Sequence, residues 1–128
     1  KFFDTKYFPI LKSLANKNTA YYSRSLPRKC ISTVLQAKWG GIGVDSKLDM
    51  IDCLKTVKKG FVQGNFDEQK MLLPKYKFMY EIERYCDDIR KSNIDTSGWV
   101  CGLGHGIDKT TPEEHVHLFI ETVRNRLS

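Results

Sequence analysis

A chain of 128 residues has room for one ordinary domain and not for two. Hydrophobic content of 41% and charged content of 28% exclude a disordered polyelectrolyte, and no apolar run approaches the ~20 residues of a membrane helix. The net charge of +6 favours an acidic ligand, but the basic residues are scattered over Arg28-Lys29, Lys58-Lys59 and Arg124/Arg126, so nucleic acid is not an expected partner. No signal peptide is read at the start, where Asp4 interrupts the apolar stretch one would need. Because the first residue is Lys1 and not Met, a fragment or processed product is expected. The four cysteines are irregularly spaced with no CxxC, which fits reduced thiols in a cytoplasmic protein.

Taken in chain order, the pattern alternates. A helix is predicted over 2–17 from the spacing of Phe3, Tyr7, Ile10, Leu11 and Leu14, with Pro9 either kinking it or marking its true first turn. Asn16-Lys17-Asn18 stops it. A short strand over 19–23 follows, then a helix opened by Pro27 that carries Ile31, Val34 and Leu35. The run 39–45 reads as a second strand, 48–58 as a helix and 61–65 as a third strand. A long helix over 75–91 sets Met79, Ile82, Cys86 and Ile89 on one face, and 99–103 is the fourth strand. The last helix opens on Thr111-Pro112-Glu113-Glu114, which has the form of a capping box, and continues with Val116, Phe119, Ile120, Val123 and Leu127.

Strands alternating with helices imply a parallel sheet with right-handed crossovers. Periodicity leaves two architectures open, a small doubly wound sheet or an arc of a barrel. In either, chemistry gathers where strands end. Those ends read Ser23-Arg24-Ser25, Val44-Asp45-Ser46, Gln63-Gly64-Asn65-Phe66-Asp67 and Gly102-Leu103-Gly104-His105-Gly106. His105 is the candidate site residue, since glycines on both sides let the backbone approach a ligand and imidazole exchanges protons near neutral pH. Asp45 and Asp67 could each be functional or simply cap the next helix. His115 and His117 point to different faces of the last helix and are expected to be solvated. Cys101 and His105 have no second ligand pair, so no zinc site is expected. The glycine run lacks dinucleotide-binding spacing, and neither a P-loop nor a GxSxG elbow occurs.

Two segments together resemble the uroporphyrinogen decarboxylase family. Gly60-Phe61-Val62-Gln63-Gly64-Asn65-Phe66-Asp67 is similar to the family's LQGNLDP stretch, and Gly102-Leu103-Gly104-His105-Gly106-Ile107 followed by Thr110-Thr111-Pro112-Glu113-Glu114-His115-Val116 resembles its NLGHG and TPPENV. Gly43-Val44-Asp45, Tyr21-Tyr22-Ser23-Arg24 and Tyr7-Phe8-Pro9 fit in order between and before them. Ser46, Glu68 and Gly102 depart from the family's tryptophan, proline and asparagine.

The resemblance implies that residues 1–128 are the C-terminal part of a single (β/α)₈ TIM-barrel domain, about four β/α units of it. It further implies a cytoplasmic, homodimeric enzyme of haem and porphyrin biosynthesis that uses no metal or organic cofactor. Such enzymes decarboxylate the acetate side chains of uroporphyrinogen to give coproporphyrinogen. Protonating a pyrrole makes an electron sink, carbon dioxide leaves, and the carbon left behind is protonated. His105 matches the family histidine, expected to bind substrate and manage protons. The family's arginines, aspartate, tyrosine and serine would lie upstream of Lys1, so the rest of the barrel or a partner chain is expected to complete the unit. Two other readings stand beside this one. The first is a catalytically inactive decarboxylase-like subunit. The second is a zinc- or corrinoid-linked methyltransferase, which would need a His-x-Cys where Ser23-Arg24-Ser25 stands.

Overall fold

All four predicted strands form, and they are β1 (Ala20–Tyr22), β2 (Gly41–Gly43), β3 (Phe61–Phe66) and β4 (Trp99–Leu103). The computed structural model describes residues 2–127. Every neighbouring pair is parallel, and the order in the sheet is β1-β2-β3-β4. That order separates the two candidate architectures. A doubly wound sheet reverses its strand order at a switch point, and here there is no reversal. Right-handed crossovers that always step the same way put every helix on one face. The result is a partial (β/α) barrel.

The register shows how the two faces differ. Tyr21, Ile42, Val62 and Trp99 lie in one row, and Tyr22, Gly43, Gln63 and Val100 in the next. Successive residues of a strand point to opposite faces. The first row packs beneath the helices in an aliphatic core with Val34, Leu54 and Ile89. The second row is open, with Tyr22 45% and Val100 47% exposed.

The covering helices are α1 (Phe8–Leu14), α2 (Arg28–Val34), α3 (Met50–Thr56), α4 (Lys75–Lys91) and α5 (Glu113–Leu127). The helix predicted over 2–17 is divided: a π-helical turn, Phe3–Tyr7, precedes α1, and Pro9 sits in the first turn of α1. That is where the ring's fixed φ and missing N–H cost nothing. A 3₁₀ helix, Glu68–Leu72, is an addition to the predicted elements; Asp67 caps it by accepting from the Gln69 N–H at 3.0 Å. α4 buries Phe78, Ile82, Cys86 and Ile89. Phe78, Ile82 and Cys86 form a second core with Phe66 and Met71, against which Val116, Phe119 and Val123 of α5 pack.

Two local expectations are corrected, for the capping box and for His115, and one open alternative, the role of Asp45, is narrowed. The capping box does not form. The Thr111 hydroxyl is buried without a hydrogen-bond partner, and the Glu114 carboxylate pairs with Lys75 of α4 instead. His115 is not solvated: it is 5% exposed, stacks on Phe78 at 4.7 Å, and its Nδ1 donates to the Met71 carbonyl at 2.8 Å. His117, in contrast, is exposed beside Glu113. Asp45 does not cap α3, because that helix starts five residues later and Asp49 caps it through the Asp52 N–H at 2.8 Å.

Candidate active site

The C-terminal ends of the strands are tied together from below by two buried polar side chains. Asp45 is 5% exposed. One of its oxygens accepts from the Ser25 N–H in the loop after β1, and the other accepts from Lys47 N–H at 3.1 Å. Asn65, also 5% exposed, donates to the Asp45 carbonyl at 2.8 Å and to the Leu48 carbonyl, and accepts from the Tyr85 hydroxyl at 3.2 Å. Buried polar groups persist only when their partners are in place, and these two join the ends of β1, β2 and β3 to α4.

Glycine closes the arrangement on the β4 side. A Cβ at Gly104 would lie 2.6 Å from the Ser46 nitrogen and 3.1 Å from the Asp45 Cα. Only glycine lets the end of β4 come this near the loop after β2. The Gly104 N–H donates to the Phe66 carbonyl at 2.7 Å, which fixes where the next residue starts.

That residue is His105. It is exposed on the open side of the sheet and lines a cavity of about 350 Å³ together with Tyr22, Gly43, Phe61, Gln63 and Leu103. Its Nδ1 lies 3.0 Å from the Tyr22 hydroxyl, and the two rings stack at 6.2 Å between centroids, 13° apart. The same hydroxyl donates to the Gly104 carbonyl at 2.9 Å. Burial raises the Tyr22 pKa above its ordinary 10.0, and the Asp45 charge adds to the effect against the opposing charge of Arg24. The phenol therefore keeps its proton at neutral pH. Arg24 is exposed in the loop after β1, and Lys47 donates to the Ser25 hydroxyl at 2.8 Å. The loops after β1 and β2 thus carry two exposed cations at the same end of the sheet as the imidazole, although neither lines the cavity, and that end suits carboxylate-bearing ligands and proton transfer.

Cys101, four residues before His105, does not take part. Burial pushes its thiol up to about 12, so it stays protonated. Among the described residues, no group of three or more His, Cys, Asp or Glu side chains is placed to hold a metal ion.

The family model described as uroporphyrinogen decarboxylase matches residues 10–126. The chain belongs to the uroporphyrinogen decarboxylase family. Several curated members carry that name. One from Thermus thermophilus is 41% identical over 63 residues, 49% of this chain and 17% of its own length. One from a Synechococcus species is 36% identical over 98 residues, 73% of this chain and 26% of its own. One from Desulfotalea psychrophila is 32% identical over 82 residues, 64% and 23% respectively. The matched stretches thus amount to about a quarter of these relatives or less. Membership of the uroporphyrinogen decarboxylase family does not favour the methyltransferase reading or the inactive-subunit reading.

Of the strand-end residues singled out in the sequence, His105 reaches the cavity, whereas Asp45 and Asn65 brace the loops behind it. Asp67 caps a helix. The sequence pattern marks Tyr22 only as part of a strand, although strict alternation along β1 puts it on the same side as Ala20, facing the cavity. Glu68, the departure from the family's proline, is 6% exposed with one carboxylate oxygen unpaired. Nothing in the sequence pattern signals its burial.

Proposed function

We propose that the chain is the C-terminal part of the barrel domain of a uroporphyrinogen decarboxylase, and that His105 contacts the substrate and handles a proton. In the overall change each acetate group, –CH₂–COO⁻, takes up one proton and becomes a methyl group as carbon dioxide leaves. A pyrrole is first protonated, the C–C bond breaks with its electron pair flowing into that ring, the freed carbon takes up a proton, and the ring gives its extra proton back, so the net uptake is one proton. Nothing is oxidised or reduced, and neither a metal nor an organic cofactor has a part in the scheme. The observation that carries this reading is the placing of His105 over a cavity at the C-terminal ends of the strands, where barrels of this type do their chemistry. Arg24 and Lys47, in the loops at that end of the sheet, favour a substrate with eight carboxylates. The remaining active-site groups belong to the rest of the barrel. A cytoplasmic homodimer is the assembly we expect.

The test is His105→Asn in the complete barrel, assayed with uroporphyrinogen. General acid–base roles are typically worth 10² to 10⁴ in rate, and a loss of about 10² with build-up of partly decarboxylated porphyrinogens is expected. A variant that matched the parent in rate and in product distribution would remove His105 from the site.

A further inference from the structure

The Tyr22 hydroxyl has one hydrogen and two close neighbours, the Gly104 carbonyl at 2.9 Å and His105 Nδ1 at 3.0 Å. A carbonyl oxygen can only accept, so the phenolic hydrogen must go to Gly104 if that contact is to be a hydrogen bond. The phenolic oxygen is then left with lone pairs directed at Nδ1, and the second contact is a hydrogen bond only if Nδ1 is the protonated nitrogen. The reverse assignment, with the phenol donating to a bare Nδ1, leaves two oxygens facing each other at 2.9 Å with no hydrogen between them. Burial and the Asp45 charge both hold the phenol in its neutral form, so its hydrogen is present at neutral pH. His105 makes no other hydrogen bond or ion pair among the described residues.

From this we infer that Tyr22 is a positioning residue that locks His105 in the Nδ1–H tautomer and leaves Nε2 as the nitrogen that trades protons in the cavity. The stacking of the two rings holds the imidazole plane, while the hydrogen bond chooses which nitrogen is free. When neutral, His105 presents a lone pair at Nε2; when protonated, it presents an N–H there, suited to a carboxylate oxygen. Tyr22 itself need not touch substrate. The carboxylate-binding side of this inference rests on the decarboxylase reading above, whereas the tautomer does not.

The test is nitrogen-15 NMR of the complete protein labelled at histidine, recorded at alkaline pH where imidazole is neutral, with the His105 signals identified by their loss in His105→Asn. The parent should show a protonated Nδ1 and an unprotonated Nε2. Tyr22→Phe keeps the ring and the stack but removes the hydroxyl. Neutral histidine in water prefers the Nε2–H form, so this variant should shift His105 to it. A parent already in the Nε2–H form would overturn the inference, and so would a Tyr22→Phe variant still in the Nδ1–H form. In turnover with uroporphyrinogen, Tyr22→Phe should lower kcat more than it changes KM, by roughly tenfold, within the range that positioned proton-transfer groups contribute. An unchanged kcat would sink the positioning role. If the tautomer switches as expected but neither parent nor variant decarboxylates uroporphyrinogen, the assignment of Tyr22 stands and the decarboxylase reading falls.

Discussion

The part of the chain built on β3, β4, α4 and α5 is made differently from the part that precedes it. Its strands have six and five residues and its helices 17 and 15, against three-residue strands and seven-residue helices in the first half. Four aromatic side chains meet in its core: Phe66 meets Phe78, Tyr85 and Phe119 at centroid distances of 6.3, 5.4 and 5.4 Å. Arg126 of α5 ties back to Glu83 and Asp87 of α4, both at 3.0 Å. The first half has an aliphatic core around Ile42 and Val44, but its outermost helix buries only Phe8 and leaves Ile10 and Leu14 64% and 62% exposed. The candidate site straddles this boundary. His105 extends from the end of the well-packed half, and Tyr22 comes from the lighter one. A rigid support on one side and a less stable element on the other is a common arrangement at sites that must admit a ligand.

The sharpest way to break this comparison is to remove one large side chain from each half. Phe78 is fully buried between Phe66 and His115, so Phe78→Ala should destabilise the protein by about 3–5 kcal/mol. Ile10→Ala should cost no more than about 0.5 kcal/mol, as surface substitutions usually do. Urea denaturation of the two variants measures both. Equal losses would mean that α1 is as well covered as α4 and would erase the asymmetry between the halves.

Asn65 joins the halves, and its removal is the next largest effect. Asn65→Ala strips hydrogen bonds from the buried Asp45 and Leu48 carbonyls and from the Tyr85 hydroxyl. An unsatisfied buried polar group costs about 1–3 kcal/mol, and relaxation at these loop ends should bring the sum to about 2–3 kcal/mol. The denaturation midpoint should fall accordingly, and amide exchange should speed up in the loops at 45–48 more than in α4. A uniform change across both regions would show that Asn65 acts through global stability and not as a tie between them.

The contrast also governs what can be read from the sequence. The predicted bounds of β4 match the structure and those of β3 miss by one residue, because each is a full-length strand set off by glycines and polar residues. β1 and β2 are shorter than the predicted 19–23 and 39–45, since only the residues that find a parallel partner count, and pairing is a property of the whole sheet. Spacing correctly sends His115 and His117 to different sides of α5, but it cannot reveal that the side holding His115 meets Phe78 and the Met71 carbonyl. Thr111 and Glu114 satisfy the local pattern of a capping box, yet Lys75, 39 residues before Glu114, takes the carboxylate. His105 is legible from its glycines and from its place after a strand. Tyr22 is not, because its role depends on an 83-residue separation that the curvature of the sheet closes.

The smallest expected effect is electrostatic and lies within the well-packed half. Glu81 of α4 accepts from Lys70 of the 3₁₀ helix at 2.6 Å and from Arg84 one turn along at 2.9 Å. The hydrogen bond from Lys70 lowers the Glu81 pKa below its ordinary 4.5, and the charges of Lys70 and Arg84 add to it, while burial works in the opposite direction. A carboxylate with a depressed pKa contributes stability that is complete above its ordinary value. That contribution fades as pH falls from there through the lower folded-state value, because the unfolded chain takes up the proton first. The pair is partly solvated, so the amount should be about 0.5–1 kcal/mol at neutral pH. Glu81→Gln should therefore lower stability by that much in urea melts at about pH 7, and the gap should narrow steadily as the melts are taken to acid pH, where the parent's carboxylate is protonated as well. A gap that stayed the same at both pH values would show that Glu81 holds the 3₁₀ helix to α4 by packing, leaving Lys70 and Arg84 with no electrostatic share in what sets this half apart.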